Sequence, residues 1–150
     1  MKKLALYIFL SATIIACGKK SGDAESSAGS DDLKLNQYIY AGKDLYIQHC
    51  SNCHQTEGQG LASLYPPLSG SNFLDGKMRE LPCIIKNGLE GEITVNGKSF
   101  NQVMPANTRL TDLEIAEITT YIYNSWGRSE GILNVMEVNK IIPNCSKEEK

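Results

Sequence analysis

Five consecutive residues, Cys50-Ser51-Asn52-Cys53-His54, constrain this chain more than any other feature. They spell C-x-x-C-H, the attachment motif of a c-type haem. On a helix, residues three and four apart share a face. Cys50 and Cys53 can therefore both reach the vinyl groups of one porphyrin and form thioethers, while His54 follows at once and offers its imidazole to the iron. A C-x-x-C pair without the histidine would read as a thiol redox or zinc motif, and those remain the alternatives. With five cysteines and two histidines in 150 residues, chance would produce the five-residue pattern only ~0.002 times.

The amino terminus reads as an export signal. Lys2 and Lys3 precede an apolar stretch from Leu4 to Ile15 that is too short to span a bilayer. Ile14-Ile15-Ala16-Cys17 resembles a bacterial lipobox. That likeness implies cleavage after residue 16, acylation of Cys17 and a lipid-anchored protein of the bacterial cell envelope, periplasmic or on its outer face. An ordinary secretory signal with an incidental Cys17 is the alternative. Residues 17–32 are small, polar or charged, the composition of a flexible tether. The folded domain is expected over 33–145, with 146–150 frayed. This length supports one core. A formal charge of −2 makes nucleic acid a poor partner.

Assigning Cys17 to lipid and Cys50 and Cys53 to haem leaves Cys83 and Cys145. An even pair in an oxidising compartment points to a disulfide. Two separate thiols are the other outcome.

A first helix is expected over about 36–53, with Gly42 and Tyr46 one turn apart. Residues 54–76 are rich in Gly, Ser, Pro and Asn and read as loop. A short helix should start near Leu81, with Pro82 in its first turn and Asn87-Gly88 at its end. Asn96-Gly97 between short apolar runs predicts a β-hairpin over 93–100. The last helix, about 111–125, opens on a Thr111/Glu114 capping box and carries Ile115, Ile118 and Ile122 on one stripe, with Gly127 at its end. The apolar residues of the tail beyond it suggest that the tail packs on the domain.

An iron held by His54 leaves a second axial position. His49 is five residues away on the same helix and cannot cross the porphyrin plane. Met78 and Met136 read as core filler. Met104, in Gln102-Val103-Met104-Pro105, is the candidate sixth ligand, with proline fixing the chain just after it.

Together these features resemble the small monohaem class I c-type cytochromes over about residues 40–126. Gly42-x-x-x-Tyr46 ahead of the C-x-x-C-H is similar to the family's first helix. Gly58-x-Gly60 and Pro66-x-Leu68-x-Gly70 are similar to its haem loop, and Met104-Pro105 to its distal ligand. The resemblance implies an all-α fold around one covalent haem c, with Ile118 and Tyr121 crossing Gly42 and Tyr46. The Pro66 carbonyl would accept a hydrogen bond from His54, and Leu68, Ile85 and Val103 would line the haem pocket. It also implies a one-electron carrier rather than an enzyme, serving an oxidase, a reductase or a quinol-oxidising complex. The competing class is a haem enzyme or gas sensor with a displaceable sixth ligand. The hairpin and the tail with Cys145 depart from the family pattern.

Overall fold

The computed structural model describes residues 25–145; the leader, Cys17 and residues 146–150 lie outside the described residues. Helix α1, Glu25–His49, is followed after one turn residue by the short α2, Ser51–His54. The chain then loops through a 3₁₀ turn at Asn72–Leu74 to α3, Leu81–Asn87. The hairpin is β1, Ile93–Val95, with β2, Lys98–Phe100, and α4 covers Asp112–Ile122. Beyond it come α5, Val135–Ile141, and a 3₁₀ turn at Ile142–Asn144. The architecture is therefore helical with one small two-stranded sheet, and no described helix is long and apolar enough to cross a membrane.

The helices follow from their residues. Thr111 and Glu114 cap α4 reciprocally: the Glu114 amide donates to the Thr111 hydroxyl, and the Thr111 amide donates to the Glu114 carboxylate at 2.7 Å. Those bonds to the charged form hold the Glu114 carboxyl below its usual range. The stripe of Ile115, Ile118 and Ile122 is buried as its period requires. At β1–β2, Asn96 and Gly97 both take positive φ, the conformation a two-residue hairpin turn demands.

Helices α1 and α4 cross at Gly42. A Cβ there would overlap the Glu117 carbonyl oxygen and lie 2.9 Å from the Tyr121 Cβ, so only glycine permits the approach. Around this crossing Tyr46, Tyr121 and Trp126 form a closed triangle, with centroids 5.3, 5.5 and 5.6 Å apart. Trp126 holds a left-handed backbone, φ 52°, to place its ring there, and Gly127 follows in the same region of φ.

Helix α4 ends at Ile122 rather than near residue 125, and both boundaries of the first helix differ from the sequence reading. The first helix begins at Glu25 rather than near residue 36, so residues 25–32, expected as tether, are helical. Their Ser- and Asp-rich composition carries no periodic signal, and the side chains described there are exposed. The helix also breaks at Cys50 instead of running to Cys53. The Ser51 hydroxyl donates to the Ile47 carbonyl at 2.7 Å, competing with the helical ladder at the point of the bend.

The tail packs as expected, and its helix α5 adds an element. Asn134 caps it by accepting from the Glu137 amide at 3.2 Å, and Val138 is fully buried. Cys83 and Cys145 form a disulfide, with Cα atoms 5.5 Å apart across a separation of 62 residues. It ties the end of the tail to α3.

Two outcomes follow. Gly42→Val should destabilise the protein by about 3 kcal/mol, the upper range of overpacking, read from urea unfolding midpoints; an unchanged midpoint would contradict the crossing. Cys145→Ser should cost up to about 4 kcal/mol, the chain-entropy value for a loop of this size, and non-reducing mass spectrometry of the parent should give a joined Cys83–Cys145 peptide.

Candidate functional site

Cys50 with helix α2, the loop after α2, α3, the hairpin and the segment before α4 enclose one cleft. Its volume is about 900 Å³ including the open mouth. Cys50, Cys53 and His54 line one part of it, and Met104 also lines it. Leu68, Ile85 and Val103 are all at its wall, with Phe73, Leu81, Ile84, Val95 and Phe100 adding to the apolar surface. None of the lining residues is Asp, Glu, Lys or Arg.

The imidazole is fixed by the loop that follows it. His54 Nδ1 lies 2.9 Å from the Pro66 carbonyl oxygen. A carbonyl can only accept, so Nδ1 carries the proton and Nε2 presents its lone pair. Burial also pushes the imidazole pKa down, with the Pro66 bond opposing it, so the ring is held neutral. The loop itself is locked at two glycines. The Gly60 amide donates to the His54 carbonyl at 2.9 Å, and the Gly58 carbonyl accepts from Leu68 and Ser69 at 2.7 and 2.8 Å. A Cβ on Gly60 would lie 2.5 Å from the Tyr65 carbonyl oxygen, and one on Gly58 would lie 2.8 Å from the Trp126 ring. The Tyr46 hydroxyl donates to the Gln55 carbonyl at 2.6 Å, linking this loop to the α1–α4 crossing.

Cys50 and Cys53 are unpaired and half-buried. Burial first, then the neighbouring Cys53, pushes the Cys50 thiol up to about 12, so it stays protonated at neutral pH.

Met104 is held from the opposite end of the chain. It bridges Leu89 through two backbone bonds of 3.0 and 2.9 Å. Gly88, φ 79°, lets the strand approach: a Cβ there would sit 2.5 Å from the Met104 carbonyl oxygen. Further along, the Asn107 amide donates to the Ile85 carbonyl at 3.0 Å, and the Lys86 ammonium donates to the Thr108 and Leu110 carbonyls at 3.2 and 2.8 Å. Met104 is thus fastened to the residue just past α3, and the segment C-terminal to it to α3 itself.

Several of these supports went unread in the sequence. Gln102 is the polar residue of the distal wall, and Lys86 anchors the ligand segment. Arg128 donates to the Ser71 carbonyl at 2.6 Å and to Asp75 at 2.7 Å, while the Tyr123 hydroxyl donates to the Leu74 carbonyl at 2.6 Å. Both clamp the segment that puts Phe73 and Leu74 into the cleft. The backbone carbonyls they bind are distant in sequence and carry no sequence signature. His49 is exposed, and neither it nor Met78 nor Met136 lines the cleft.

The donor set fits a haem rather than a bare ion. Among the described residues no three His, Cys, Asp or Glu side chains converge to hold a metal ion. The cleft instead offers two free thiols, an imidazole nitrogen, a thioether and an apolar wall, which suit a flat hydrophobic macrocycle around a metal.

A helical domain with such a cleft is a c-type cytochrome, an electron-transfer class of protein. Residues 39–126 match the family model of cytochrome c, and the chain belongs to that family. Membership implies covalently bound haem c. Among its relatives, cytochrome c-552 of Thermus thermophilus is 36% identical over 95 residues, covering 61% of this chain and 72% of the relative. The cytochrome c subunit of the quinone alcohol dehydrogenase of Gluconacetobacter polyoxogenes is 29% identical over 105 residues, covering 67% of this chain. The gluconate 2-dehydrogenase cytochrome c subunit of Pantoea cypripedii is 28% identical over 119 residues, covering 70%. The chain spans only 22% and 26% of those two subunits.

Gly88→Ala should displace residues 104–106 and lower stability by about 1–3 kcal/mol. Hydrogen exchange checks it: the Leu89 and Met104 amides should lose protection, whereas retained protection would mean that Gly88 does not set this contact.

Proposed function

We propose that the protein is a lipid-anchored, single-haem electron carrier of a bacterial cell envelope. Cys50 and Cys53 would hold the haem through thioethers, and His54 Nε2 and the Met104 sulfur would be its axial ligands. The observation that carries this reading is the presence of His54 and Met104 at one apolar cleft, each fastened by its own backbone network.

When bound, haem c supplies a one-electron iron couple. The chain's own residues do the rest. Pro66 orients His54 and strengthens it as a donor by taking its Nδ1 proton in a hydrogen bond. The Leu89 bridge and the Lys86 anchors keep Met104 from swinging away, which supports a carrier over a sensor with a displaceable ligand. The apolar wall would exclude water, and with His54 and Met104 both bound no position would remain for a substrate. His/Met ligation raises the potential.

Anchoring rests on the lipobox at Cys17, and the partners would be membrane-associated redox proteins: an oxidase, a reductase or a quinol-oxidising complex. Confinement to a surface raises the carrier's effective concentration near them. The dehydrogenase subunits among the relatives are in keeping with such partners.

Met104→Ala tests the ligand assignment. The variant should retain covalent haem, show a lower reduction potential and bind carbon monoxide, which the parent should not. An unchanged potential with no carbon monoxide binding would assign the sixth position to another residue.

A further inference from the structure

Residues 131–145 lie beyond the stretch that matches the family model, and none of them lines the cleft. They are nonetheless built into the core. Leu133 and Val138 are buried. The Leu133 amide donates to the Thr120 hydroxyl of α4 at 3.1 Å, and the Val135 amide donates to the Tyr38 hydroxyl of α1 at 3.4 Å. From this base the tail reaches the α3 region twice. Cys145 is bonded to Cys83, and Arg79, two residues before α3, donates to the Glu137 carboxylate at 2.7 Å.

Helix α3 needs such a brace. It has seven residues and no side-chain cap at its start, and a helix that short has little stability of its own. Leu81 and Ile85 share the face that lines the cleft, and Cys83, two residues from each, lies on the opposite face. The crosslink therefore grips α3 from behind. What α3 carries is the Met104 segment. The Ile85 carbonyl accepts from the Asn107 amide, Lys86 donates to the Thr108 and Leu110 carbonyls, and Leu89, just past the helix, shares two backbone bonds with Met104.

We propose that the C-terminal tail is a clamp on the distal ligand, with Cys83 and Cys145 as positioning residues that hold Met104 at the iron through α3. This rests on the axial-ligand reading above. For Met104 to leave, its segment must either part from α3 or carry α3 with it. Crosslinking α3 to a buried tail opposes the second route, because the helix cannot move without its anchor. Cutting the crosslink raises the population of the open form, while the closed form keeps the same two ligands.

The double variant Cys83→Ser/Cys145→Ser removes the crosslink and leaves neither thiol of the pair. Imidazole added to the ferric holoprotein competes with Met104, so its apparent affinity rises with the fraction of molecules whose sixth position is open. We expect imidazole to bind the double variant at least about tenfold more tightly than the parent. The Leu89 and Met104 amides should exchange faster by a similar factor, while the Gly60 and Leu68 amides of the proximal loop keep their protection. Ile118→Ala controls for lost stability alone, since Ile118 is fully buried on α4 and does not line the cleft. It should lower the urea midpoint yet leave the imidazole affinity within about twofold of the parent.

If the double variant does not fold, the bond can be cut in the folded parent. Dithiothreitol added to the ferrous holoprotein passes two electrons and two protons to the Cys83–Cys145 bond, giving two thiols and the cyclic disulfide of the reagent, with the iron already reduced. The Leu89 and Met104 amides should then exchange at least about tenfold faster. Any one of three results would overturn the clamp: unchanged imidazole affinity in the double variant, retained protection of Leu89 and Met104 after the bond is cut, or an equal gain in affinity with Ile118→Ala. A Met104→Ala variant that binds imidazole no more tightly than the parent would remove the axial-ligand reading itself. Amide exchange, which does not depend on the iron, would still decide whether the tail holds the Met104 segment.

Discussion

Backbone passing against backbone at Gly42 is the contact on which the rest of the molecule is built. Because a hydrogen replaces a side chain there, α1 drops onto the Glu117 carbonyl. That depth brings Tyr46 under Tyr121 and Trp126. Tyr46 in turn holds Gln55 by its hydroxyl, and Trp126 fills the space that Gly58 leaves open. One close crossing thereby fixes the C-terminal end of α1, from which Cys50 and the α2 residues Cys53 and His54 follow, and the loop that orients the imidazole.

The distal half obeys a separate constraint. Met104 answers to α3 through Gly88, Leu89 and Lys86 rather than to the α1–α4 crossing. The disulfide then joins α3 to the C-terminal tail, whose helix α5 packs Val138 into the core. The hairpin closes a further side: Asn72 and Asn96 exchange bonds between side-chain oxygen and amide at 3.0 and 2.8 Å, seating the hairpin on the loop that follows the proline segment. The two proposed axial donors are thus positioned by different elements, as a ligand pair on opposite faces of a planar group would require.

Much of this was legible in the sequence because the signals were local. C-x-x-C-H, Thr111 with Glu114, and Asn96-Gly97 each encode their structure within a few residues, and all three were read where they occur. The glycines at 42, 58 and 60 and Pro66 were read through the resemblance to the family. The boundaries of the first helix were not, for opposite reasons. Residues 25–32 lack apolar periodicity and extend the helix, with residues 29–32 exposed, while the bend at Cys50 coincides with the Ser51 hydroxyl bond to the Ile47 carbonyl. The cap of α5 is local, formed by Asn134 with the Glu137 amide. Arg128, Tyr123 and Lys86 grip carbonyls far away in sequence, and no pattern of side chains announces such bonds.

The central claim is that His54 and Met104 lie on opposite faces of one haem. The proton NMR spectrum of the ferrous holoprotein, with its methionine methyls labelled, tests it most directly, since a methyl seated over the macrocycle is strongly shielded by the ring current. The account predicts one methionine methyl far upfield of the others, lost on replacement of Met104 by leucine. All methionine methyls at ordinary shifts, or an upfield methyl that survives that replacement, would contradict it.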